Sequence, residues 1–209
     1  MTTLKLITTF LLFVLYSCGQ NTLKRKVDPK VTTLSNKIIP LVSHLDNSDS
    51  CKQALLYLDS ATTIDNNCFN CYHNKLMFLY SLKQFEKAVQ TLNECLRIAP
   101  RAYDLYFTGG VLYEKIGDTI SSKKYFQKSM TIINSVLDTM KARNLDYEVL
   151  LNNKAVNLIM LDDYKGGNDM LKAFADRQQE RELKEMALSY MNKSKKEIVD
   201  MLTDMQYSR

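Results

Sequence analysis

FNCYHNKLMFLYSLKQFEKAVQTLNECLRIAPRA, residues 69–102, is the stretch that decides the fold. Tyr72, Leu76 and Leu79 recur near a 3.6-residue period, the mark of one apolar helical face. A polar turn follows, and Ala88, Leu92 and Cys95 form a second face with small residues three and four positions from a large one. Two antiparallel helices approach closely only where side chains are small, with a large residue filling the space beside them. Ala99-Pro100 closes the segment, because proline denies the helix a backbone donor.

The pattern repeats outward from there. Ala88 is Ala54 34 residues earlier and Ser122 34 residues later. Leu92 likewise becomes Leu58 and Phe126, and Cys95 becomes Ala61 and Ser129. The first helix of each unit reads as Ile38, Val42, Leu45 before it and Tyr106, Gly110, Tyr113 after it. A fourth unit over 148–181 carries Leu151, Ala155, Leu158, Gly167, Leu171 and Phe174. It is displaced by eleven residues, 137–147, read as an overlong second helix of the third unit plus a loop. Self-similarity at a fixed period of this length marks stacked supersecondary units.

These residues resemble the tetratricopeptide repeat, in which a Trp-x-x-Leu-Gly-x-x-Tyr helix precedes an Ala-x-x-x-Phe helix and a closing Ala and Pro. The resemblance implies an all-α fold: a right-handed superhelix of stacked helix-turn-helix hairpins in units 35–68, 69–102, 103–136 with an extension to 147, and 148–181. Residues 182–209 are read as one capping helix, interrupted in polarity at Lys193–Lys196 and carrying Ile198, Val199 and Leu202. An open array requires such a cap over its last apolar face.

The resemblance also implies a concave groove lined by the first helix of each unit, which takes a protein or peptide partner. By position that groove is lined by Ile39 and Ser43, by His73, Asn74, Met77 and Tyr80, by Phe107, Val111 and Glu114, and by Asn152, Asn153, Val156 and Ile159. Asn74 and Asn153 stand where members place an amide that offers both a donor and an acceptor to a ligand backbone. The basic residues that clamp a terminal carboxylate are absent, so the expected ligand is apolar and anchored by aromatic rings. A groove filled by the protein's own tether or cap is the competing expectation.

The N-terminus reads as an address. Lys5 precedes an eleven-residue apolar run, Leu6–Tyr16, too short to span ~30 Å of hydrocarbon and the right length for a signal peptide. It ends in Leu15-Tyr16-Ser17-Cys18-Gly19, which resembles the bacterial lipoprotein box. The resemblance implies removal of residues 1–17, acylation of Cys18 and membrane attachment through that lipid. Residues 18–33 read as a polar tether with a span of roughly 20 Å. The expected location is the periplasmic face of a bacterial membrane, the outer one first.

Chemistry is sparse. With 28 basic and 23 acidic residues the net charge is +5, without the concentrated basic face of a nucleic-acid binder. Cys68-Phe-Asn-Cys71 follows a repeat-ending turn rather than the strand of a βαβ redox unit, which ranks thiol–disulfide exchange low. His73 lies on nearly the opposite helical side from Cys71, so neither a zinc site nor a dyad forms. In an exported repeat protein, Cys71 and Cys95 are expected to lie near each other, bonded to one another or with Cys95 free as a buried small residue. Cys68 is the competing partner, and Cys51 is expected to stay unpaired. No cofactor, metal or catalytic constellation is expected. The function class is a tethered interaction scaffold, ahead of an immunity-type protein that blocks one dedicated partner.

Overall fold

The computed structural model describes residues 27–141 and 145–204, so the proposed signal peptide, Cys18 and most of the tether lie outside the described residues. All described secondary structure is helical. In order the elements are α1 (Pro29–Ile38), a 3-10 turn (Ile39–His44), α2 (Ser48–Ile64), α3 (Phe69–Ser81), α4 (Phe85–Ile98) and α5 (Tyr103–Lys115). Then follow α6 (Thr119–Thr139), α7 (Leu145–Met160), α8 (Tyr164–Arg177), α9 (Arg181–Tyr190) and α10 (Lys195–Thr203). No described helix is long and apolar enough to cross a membrane.

The chain divides into two compact units, one running to Leu105 and including Thr203 onward, the other Tyr106–Leu202. In the first, α1 packs on α2, α2 on α3, and α3 on α4. Its core gathers Val31, Ile38, Leu45, Ala54, Leu58, Ala61 and Phe78. In the second, α6 packs on α7, α7 on α8, and α8 on α9. Its core joins Val111, Phe126, Ala155, Val156, Leu171 and Phe174 to Leu183, Ala187, Ile198, Val199 and Leu202.

The 34-residue register is a register of burial. Ala54, Ala88 and Ser122 are sealed from solvent, as are Leu58, Leu92 and Phe126, and Ala61, Cys95 and Ser129. Where the facing helix changes, the pair changes with it: Gly110 and Phe126 hold the places of Ala155 and Leu171 in the last repeat, a small residue beside a large one, and of the bulkier Leu76 and Leu92 in the preceding one. A Cβ at Gly110 would lie 2.5 Å from the Phe126 ring, so glycine is what lets that ring in.

Three of the hairpin turns also repeat in their hydrogen bonds. Gln84 N–H donates to Leu79 O, Asp118 N–H to Tyr113 O and Asp163 N–H to Leu158 O, each at 2.9 Å. This six-to-one bond ends a helix through one left-handed residue. Lys83 (φ 53°), Gly117 (φ 84°) and Asp162 (φ 71°) occupy that position. Asp118 and Asp163 then cap the next helix, accepting from Ser121 N–H at 3.0 Å and Gly166 N–H at 2.9 Å.

Two boundaries differ from the sequence reading. The helical array starts at Pro29, not after Thr33: Asp28 accepts from Lys30 N–H at 2.7 Å, and Pro29 sits in the first turn, where its missing N–H costs nothing. Val31, assigned to the tether, is 1% exposed in the first core. Pro40 then forces the chain from α-helix into a 3-10 turn. The C-terminal segment is two helices rather than one cap, because the chain breaks at Met191 and at Asn192 (φ 60°). Ser194 restarts it with a capping box: its Oγ accepts from Glu197 N–H at 3.2 Å, and Glu197 Oε2 accepts from Ser194 N–H at 2.8 Å.

Candidate functional site

On α3, the four residues assigned to a ligand face are half-buried and share one helical side. His73 stacks on Phe69, one turn earlier, with ring centroids 5.7 Å apart. Burial holds its imidazole below the usual histidine pKa, so it stays neutral near pH 7 and offers one donor and one acceptor. Tyr80 meets Phe85 edge-on at 6.1 Å, and burial pushes its phenol above the usual range, keeping it a neutral donor. Met77 packs against the first core. The Asn74 amide has no hydrogen-bond partner among the described residues.

The second unit is different. Phe107 lies half-buried against Phe126, with ring centroids 5.5 Å apart. Val111 and Asn152 are each 2% exposed and Val156 is 3% exposed, so these three do not line an open groove. The reason lies in the C-terminal segment: Leu183 and Ala187 of α9 and Ile198, Val199 and Leu202 of α10 share one apolar cluster with Val111, Val156 and Ile159. Two ion pairs flank that cluster, Lys195–Glu114 at 3.1 Å and Lys115–Asp200 at 2.9 Å. Asn152 Oδ1 is enclosed without a donor. Asn157, which the sequence reading did not single out, is sealed between α6 and α7. It donates to Asn153 O at 2.9 Å and to Ser129 Oγ at 3.3 Å.

The cysteines correct the expected pairing. Cys68 is bonded to Cys71, while Cys51 and Cys95 are buried thiols outside that disulfide. Cys68 is the N-cap of α3 and Cys71 lies in the first turn, 5.3 Å apart at Cα, within the span a disulfide bridges. Cys71 therefore meets a local partner before the distant one, and Cys95 serves as a buried small residue in the place of Ala61 and Ser129. Burial raises the Cys51 thiol above its usual pKa, which keeps it unreactive. In native protein neither Cys51 nor Cys95 should take up iodoacetamide, and after unfolding without reductant both should. A non-reduced tryptic digest joining peptide 53–75 to peptide 88–97 would show that Cys95 is bridged instead.

The molecule is a protein of helical hairpins in a repeated register. Residues 69–101 match the family model described as "Tetratricopeptide repeat". A TPR repeat-containing protein of Methanocaldococcus jannaschii is 25% identical over 105 residues, 50% of this chain and 18% of that protein. This chain thus spans under a fifth of that relative's length. Among solved structures, the MamA RS-1 ArsTM double mutant aligns with a TM-score of 0.52 and 13% identity, over 87% of this chain and 100% of that one. MamA 41-end from Desulfovibrio magneticus RS-1 aligns with a TM-score of 0.51 and 14% identity, over 88% and 100%. These two likenesses are of fold.

Proposed function

We propose that this chain is an exported, lipid-tethered interaction module of a bacterial envelope, held at the periplasmic face of the outer membrane through Cys18 and binding a protein partner through its repeats. The observation that carries the binding half is the face of α3 within the matched repeat. There a neutral imidazole, a half-buried phenol, a thioether and an amide with no hydrogen-bond partner among the described residues lie side by side on one helix. A half-buried amide without an internal partner has donor and acceptor capacity to spend on a ligand backbone. The apolar groups beside it supply area that loses water on contact. The tethering half rests on the apolar run Leu6–Tyr16 and the Leu15-Tyr-Ser-Cys18 box.

Cys18→Ser is expected to move the protein from the membrane to the soluble fraction of fractionated cells. Crosslinking with affinity capture should still recover its partner from the repeats, and Tyr80→Ala should lose that partner while staying folded. A Cys18→Ser protein that remains on the membrane ends the lipid-anchor reading. Unchanged capture by Tyr80→Ala ends the assignment of the α3 face.

A further inference from the structure

We infer that α10 is an intramolecular occupant of the ligand face formed by α5 and α7, and that the partner which takes its place is a short amphipathic helix. The inference rests on the protein-binding reading and assigns that reading a regulated site. Three observations on the C-terminal segment carry it.

The first is what α10 buries. Ile198 is sealed from solvent, Val199 is 3% exposed and Leu202 7% exposed, in the same cluster as Val111 and Val156, two residues that the sequence resemblance assigns to the groove. The spacing i, i+1, i+4 gives one apolar stripe on a helix, the pattern with which an amphipathic helix fills a groove. The second is charge. Lys195 pairs with Glu114 at 3.1 Å, with side chains only 17% and 20% exposed. Asp200 pairs with Lys115 at 2.9 Å. A basic residue at one end of α10 and an acidic one further along thus meet an acidic and a basic residue adjacent on α5. Such paired charges fix register and orientation more than they add affinity. The third is attachment. α10 is tied to α5 through these side chains and ion pairs. It has nine residues, too few to be a stable helix alone. Its capping box at Ser194–Glu197 starts the helix, and docking completes it.

The recognition chemistry follows from the occupant. A competing helix needs three apolar residues in the spacing of Ile198, Val199 and Leu202. It also needs a basic side chain one turn before them to reach Glu114, and a carboxylate to reach Lys115.

The test uses the full chain and a fluorescein-labelled peptide copying residues 193–204. Ile198→Asp with Leu202→Asp should undock α10 and leave the hairpins folded. Fluorescence anisotropy should then show the peptide binding the undocked protein at least about tenfold more tightly than wild type. Adding Glu114→Lys should abolish that binding, and a peptide carrying Lys195→Glu should restore it. An undocked protein with native circular dichroism that ignores the peptide overturns the inference. So does cooperative loss of helicity in the undocked protein, which would make α10 part of the core rather than an occupant. A stable wild-type dimer in sedimentation would overturn it in favour of α10 exchange between two copies. Peptide binding that follows the charge swap, with no partner captured in the Cys18 experiment, would count against the adaptor reading alone.

Discussion

Replacing Phe126 by alanine is expected to cost about 3–5 kcal/mol, a large part of the ~5–15 kcal/mol that stabilises a typical domain. Phe126 is fully buried, its ring meets Phe107, and Lys195 Nζ lies 5.9 Å from its centroid. Truncation would leave a void on the far side of Gly110, where no side chain exists to relax into it. Phe126→Leu should cost less, because Leu92 and Leu171 already serve in that place. Adding Gly110→Ala should recover most of the remainder by recreating the Ala155–Leu171 pairing. Gly110→Ala alone should destabilise: the roughly 1 kcal/mol of helix propensity it gains is outweighed by a Cβ 2.5 Å from a ring that cannot move. Urea midpoints of the three single variants and the double decide the matter. A Gly110→Ala protein more stable than wild type would mean that the Gly110–Phe126 contact is looser than the structure has it.

The second large effect is at Gly167, where α8 crosses α7. A Cβ there would sit 2.7 Å from the Ala155 backbone oxygen and 2.5 Å from Ile159 Cγ1. Backbone cannot rotate away as a side-chain tip can, so Gly167→Val must separate the two helices. A loss of about 3 kcal/mol or more is expected, at the upper end of overpacking costs. The neighbouring Gly166→Ala meets only the Asp163 carboxylate, which can turn aside at the cost of its cap to Gly166 N–H, about 1 kcal/mol. Thermal melts of the two variants should therefore differ widely. Equal melting temperatures would place the close approach elsewhere.

Both residues are legible in the sequence. Phe126 fell in the large place and Gly167 in the small place of the repeated pattern, and the structure buries both. The left-handed turn residues were less visible, because Gly117 announces itself, Asp162 is a residue type that only tolerates the conformation, and Lys83 adopts it with no such preference. Asp28-Pro29 was a readable start signal that the polar run around it obscured. The pairing of Cys68 with Cys71 turned on the placement of one N-cap residue.

The groove shows the limit most plainly. Periodicity names the apolar face of a helix, because a helix repeats its own geometry every 3.6 residues whatever lies beside it. The all-helical class, the 34-residue register and the small and large positions are local properties of this kind, and they were all present in the sequence. Which face covers which is settled by competition among distant segments for the same apolar surface. Val111, Asn152 and Val156 have the same neighbours along the chain whether α10 lies over them or not. Their burial depends on a helix some 40 to 90 residues away whose stripe and charges fit them. The sequence therefore determined the hairpins and their order, and the tertiary structure decided that part of the expected ligand face is already occupied.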